Sequence, residues 1–91
     1  MSGHAIMIRV TPEDFEQWLE AHNSCRGFRS EYGMSDGPVY RDAADPNVAL
    51  VHLDIEDVDR AVQWFKSPEF IDASRRAGKV RRDIWISERK Q

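Results

Sequence analysis

Cysteine is nearly absent: Cys25 is the single one in 91 residues, so no internal disulfide can form and no metal-type cysteine spacing exists. Long apolar runs are missing as well. The opening MSGHAIMIRV has no basic lead and too short an apolar run for a signal peptide. Nothing elsewhere approaches the ~20 apolar residues of a membrane span, so no membrane partner is expected. Cations are not in excess either, and a formal charge of −3 argues against a nucleic-acid or anionic-membrane partner. Gly33 and Gly37 come without the Gly-Lys-Ser/Thr of a phosphate loop. There is no nucleophile elbow, no Cys-His pair at a recognisable spacing and no dinucleotide fingerprint. These absences leave cofactor-free chemistry or none, in a cytoplasmic chain whose residues 1–91 form one domain. At that length a chain buries roughly two-thirds of its unfolded surface, so a partner copy would add stability.

What is present is patterning. Ala5 to Val10, AIMIRV, is apolar and β-branched enough for a buried strand. Thr11-Pro12-Glu13-Asp14 predicts a helix start, with Thr11 as cap and Pro12 in the first helical position. Phe15, Trp18, Leu19 and His22 then share one helical face. Gly27 weakens the helix, Phe28 to Tyr32 reads as a further turn stopped by Gly33, and Gly33 to Pro38 reads as a loop. Val39-Tyr40-Arg41 begins a second strand and Val48 to Ile55 is a third, joined by the turn formers of Asp42 to Asn47. Asp57 caps a helix bearing Val58, Ala61, Val62 and Phe65, and Ser67-Pro68-Glu69 restarts it at a new angle. Gly78 ends that helix, and Asp83 to Ser87 alternates as a last strand. The order β-α-β-β-α-β is a ferredoxin-like α+β fold with a four-stranded antiparallel sheet. Helices cover one face of such a sheet, and no segment is left to cover the other, so a homodimer, sheet against sheet, is expected.

Several of these residues carry a family resemblance: Asp14-Phe15 with Trp18, VYRDAADPN at 39–47, the apolar strand ending in Asp54, Ala61 with Phe65 and Ser67-Pro68-Glu69-Phe70, and Arg75-Arg76-Ala77-Gly78. Together they resemble the small bacterial dimeric α+β-barrel proteins related to antibiotic-biosynthesis monooxygenases and often labelled "cyclase". The likeness runs from about Ile8 to Ile86. It implies a homodimer and, if the protein is an enzyme, cofactor-independent oxidation or cyclisation of an aromatic polyketide-like substrate. The Asn-Trp-His constellation of the haem-degrading relatives finds no counterpart. The matched positions are caps, turns and core anchors, so they transfer no catalytic role. The alternative is a non-catalytic dimer that binds or senses a small molecule.

Candidate chemistry rests on a few residues. His52, with Asp54 on the same strand face, could act as a general base on a phenol or anthrone-like carbon acid; the competing reading is a hydrogen-bonded histidine packed against the second copy. His22, below Trp18 and Leu19, could point into a cavity between helix and sheet; otherwise it is a helix-end histidine favoured by the dipole. The two would make an acid–base pair only if they shared a cavity. A metal site would need His22, His52 and Asp54 to converge, and none is expected. Trp18 and Trp64, the latter off the main stripe of its helix, are candidate walls for a flat aromatic ligand. Tyr40 joins them as a candidate if the strand register places it beside His52: pairing of Arg41 with Val48 would separate the two, and a slip of one residue would unite them. The basic run from Arg75 to Arg82 and the acids Asp54, Glu56, Asp57 and Asp59 read as solvated surface.

Overall fold

Alternation, not continuous burial, shapes the first strand. In a computed structural model, which describes residues 3–91, β1 spans His4–Pro12 and buries Ile6, Ile8 and Val10 while Met7 and Arg9 stay outside. Met1 and Ser2 of the stretch read against a signal peptide lie outside the described residues. The strand runs two residues further than its apolar core because Pro12 pairs only with Val80 on one side. Beyond Val10 the other neighbour has ended, so the missing proline N–H leaves no ladder bond unmade.

This moves the first helix. Thr11 and Pro12 are strand residues, and Asp14 is the cap of α1 (Phe15–Ser24), accepting from the Gln17 amide at 3.0 Å. Helix α2 (Arg26–Glu31) follows after Cys25, and Gly33, at φ 74°, turns the chain out of it. The expected loop at Gly33 to Pro38 is instead strand: β2 covers Met34–Arg41 and pairs with β3 (Ala49–Ile55) across a bulge between Asp36 and Val39. Proline is tolerated there because β2 is an edge strand. Gly37 is required by close approach, since a Cβ at that position would stand 2.7 Å from the His52 carbonyl oxygen. The connection at 42–47 is the expected turn. Asp42 accepts from the amides of Ala44 and Asp45, and Asp45 accepts from that of Asn47.

Asp57 caps α3 (Val58–Trp64), and Ser67 caps α4 (Pro68–Ala77) with Pro68 in its first turn, both as the residues predict. Ser67 is buried at the corner between them. Its hydroxyl donates to the Trp64 carbonyl at 2.6 Å and accepts from the Phe70 amide at 3.1 Å. Gly78, at φ 80°, releases the chain into β4 (Val80–Glu88). The four strands lie in the order β2-β3-β1-β4, all antiparallel, which is the ferredoxin-like arrangement.

The shortest dimension, 17 Å, is that of two layers, one sheet and one tier of helices. Ile6, Ile8, Val10, Ala49, Val51, Leu53 and Ile55 face the helices and form the core with Trp18, Ala21, Cys25, Ala61 and Trp64. The opposite face is uncovered and carries Met7, Tyr40, Leu50 and Trp85, each at least 40% exposed. No helix among the described residues is long and apolar enough to cross a membrane.

Candidate functional site

Two places hold candidate side chains, one on each side of the sheet. The inner one lies between helices and sheet. Trp18, Ala21, Cys25 and Arg29 continue one buried stripe from α1 into α2, and His22 flanks it. The His22 ring stacks on Trp18 with centroids 5.2 Å apart and 22° between planes. Across from it Trp64 is 2% exposed, with Tyr32 and Phe70 each 5.6 Å away. Trp64 is thus on the buried stripe and not off it, because it stands three residues after Ala61, one helical turn on. Between these walls is a cavity of about 50 Å³ bounded also by Phe65, Ser74, Arg29 and Arg82.

Its polar lining has a definite charge state. Burial, then the Arg29 guanidinium and to a smaller degree Arg26, lower the His22 pKa from 6.5 to about 4 against a smaller opposing pull from Asp36. The imidazole is therefore neutral at pH 7. Arg29, itself 3% exposed, donates from Nε and Nη2 to the two Asp36 carboxylate oxygens at 2.8 and 2.7 Å. Burial pushes the Asp36 pKa up, but these bonds and the Arg29 charge together hold it below its ordinary value. Arg82 reaches in from β4 with its guanidinium 5.4 Å from the Phe70 ring centre, and burial lowers its pKa.

The second place is the open sheet face. Met7 stands opposite His52 on one side and Trp85 on the other, forming a row across the sheet. His52 Nε2 lies 3.1 Å from Asp54 Oδ1, and both side chains are exposed to solvent. Arg41 pairs with Ala49 and Tyr40 with Leu50, the register that puts Tyr40 on the same face as His52. Tyr40, Leu50, His52, Met7 and Trp85 line one shallow hollow of about 300 Å³.

The structure therefore gathers the candidates in two groups: His22, Trp18 and Trp64 inside, and His52, Asp54 and Tyr40 outside. The two histidines lie on opposite faces of the sheet and share no cavity, so the trio weighed for a metal does not converge. Among the described residues no group of three or more His, Cys, Asp or Glu is placed to hold a metal ion. The basic run and the acidic cluster do not pair with each other among the described residues; Arg76 bonds Asp72 on its own helix. Sequence reasoning passed over Arg29, Asp36 and Ser74, and it read Arg82 as solvated surface, whereas Arg82 is half-buried and lines the cavity. Arg29 was findable, since it sits seven residues after His22 at the end of an apolar stripe.

A four-stranded antiparallel sheet beneath one tier of helices is also the fold of solved structures described as antibiotic biosynthesis monooxygenases. SnoaB from Streptomyces nogalater, a cofactor-independent oxygenase, superposes with a TM-score of 0.76 at 11% identity, covering 100% of this chain and 97% of that one. A candidate antibiotic biosynthesis monooxygenase from Bordetella bronchiseptica gives 0.72 at 16% identity over 98% and 97% of the two chains. One from Caulobacter crescentus gives 0.66 at 12% identity over 92% and 89%. No protein-family model and no curated protein sequence matches the chain, so the likeness lies in the fold.

Proposed function

We propose that residues 1–91 act as one domain, that two copies pair through the open sheet face, and that each copy is a cofactor-independent oxygenase for an aromatic, polyketide-like carbon acid. The observation that carries this reading is His22, a neutral imidazole stacked on Trp18 at the edge of an aromatic-walled cavity. Being neutral, the imidazole can take a proton from an acidic CH₂ or phenol; its low pKa makes it a weak base, and the anion that forms beside it, favoured by the neighbouring arginines, stabilises the imidazolium. Dioxygen then takes the electrons: one oxygen atom becomes the new ring carbonyl and the other leaves as water with the two hydrogens lost from carbon. Likeness to SnoaB supports the oxygenase class.

The cavity of about 50 Å³ is smaller than the ~150 Å³ known to admit benzene, so an aromatic guest requires it to widen. His52 and Asp54 face away from this cavity, and in this reading they belong to the contact between copies. Purified protein mixed with anthrone in air should consume oxygen and yield the quinone, with His22→Ala slowing turnover by about 100-fold or more. Undiminished activity after replacing both His22 and His52 by alanine would sink the assignment of the base. Anthrone binding without oxygen uptake would make the protein a non-catalytic small-molecule binder.

A further inference from the structure

An acid on the covered face of a sheet is out of place unless something pairs it. Asp36 stands opposite Leu53, so it faces the helices, and its side chain is 11% exposed. Arg29 meets it from α2 with two guanidinium nitrogens, at 2.8 and 2.7 Å, and is itself 3% exposed. Ion pairs this buried return little net stability, because desolvation offsets the attraction, and an apolar pair of similar volume serves a core as well. Fold stability therefore does not account for the pair. What the two bonds do is fix a place. A long arginine side chain left alone turns its charged head to water, whereas a forked bond to a carboxylate sets both the site and the plane of the guanidinium. Asp36 is itself held at the edge of the bulge in β2, where the pairing with β3 shifts between Asp36 and Val39. The guanidinium so held belongs to the cavity that His22 lines. Arg29 and Arg82 reach that cavity from α2 and β4, Ser74 is the polar group from α4, and Trp64 faces it from α3. Arg26 and Asp36 act on His22 from outside the lining.

We propose that Asp36 is a positioning residue: by its two bonds to Arg29 it anchors that guanidinium at the cavity, so that the edge strand β2 sets the electrostatics of a base carried by α1. Asp36 lines no part of the cavity, and its hold on the site runs through Arg29. The signs of two effects separate this role from a structural one. The Arg29 charge opposes protonation of His22 and the Asp36 charge favours it, the first effect being the larger. Removing the carboxylate alone therefore pushes the imidazole further toward its free base. Removing both charges lets it take up a proton at higher pH, short of its ordinary value because burial remains. The bearing on turnover rests on the reading of His22 as the base; the titration does not.

Variants of the intact protein supply the test, with the His22 ring resonances followed by NMR across pH. Arg29→Met combined with Asp36→Leu replaces the ion pair by an apolar one and should leave the fold intact by circular dichroism. Its His22 pKa should rise from about 4 toward 6.5. Asp36→Asn should lower it instead. Arg29→Lys keeps the charge without the fork, so its titration should stay close to that of the wild type while anthrone turnover falls by roughly 10-fold or more. His22 titrating alike in the wild type and the apolar double variant would overturn the proposal and leave the pair a structural tie. That comparison decides even if Asp36→Asn, with its bare buried cation, does not fold. Shifted titrations without oxygen uptake from anthrone by the wild type would uphold the positioning of Arg29 and overturn the oxygenase reading.

Discussion

At the scale of single residues, His22 is the group whose environment matters most, and its pKa makes a prediction about stability. Its folded value is about 4 against an ordinary 6.5, so below pH 6.5 the unfolded chain takes up a proton that the folded chain resists. Stability is fullest above pH 6.5, falls as the pH drops, and by pH 4 has lost about 3 kcal/mol from this group alone. His22→Gln should flatten that slope, as urea unfolding between pH 4 and 7 would reveal. The position of His22 was legible from its spacing to Trp18, whereas its charge state was not. That state depends on Arg29, which is brought beside it by a second helix, and on Asp36, which arrives from a strand the sequence reads as loop. Trp64 teaches the same lesson in reverse. A stripe counted from Val58 through Phe65 passes over it, yet the short helix turns the whole 61–64–65 face inward.

At the scale of elements, capping and turn chemistry carried most of the information. Asp57, Ser67, Gly78 and the turn at 42–47 act as their residue types demand, because each is decided by neighbours within a few positions. The errors came where a distant partner decides. Thr11 and Pro12 look like a helix start until Val80 and Arg81 pair with them, and Gly33 to Pro38 looks like a loop until β3 offers its edge. Gly37 is the residue that lets this strand cross His52, so Gly37→Ala should cost ~1–3 kcal/mol by pushing the bulge away from the carbonyl. Gly27→Ala is the matching control, since nothing lies within 4 Å of a Cβ there. In helix α2 that change should be neutral or stabilise by up to ~1 kcal/mol. Chemical denaturation of the two variants tests the pair.

At the scale of the whole molecule, one sheet face remains without a cover. The βαββαβ order was readable from the sequence, and so was the one-sided placement of helices that follows from it. The register was not, because a turn of six residues permits more than one pairing. In the register found, Tyr40, His52, Met7 and Trp85 come together on the open face. If two copies meet there, light scattering at micromolar concentration should give twice the chain mass, and Trp85→Glu should halve it with the fold intact by circular dichroism. A wild-type monomer would refute the pairing. The corner at Ser67 has a consequence for the same molecule seen from inside. One hydroxyl ties the backbone of Trp64 to that of Phe70, so the two residues whose rings bound the cavity share a single main-chain anchor. The tie is between main-chain groups, so it fixes the spacing of the two residues' backbones while each ring keeps its own side-chain torsions.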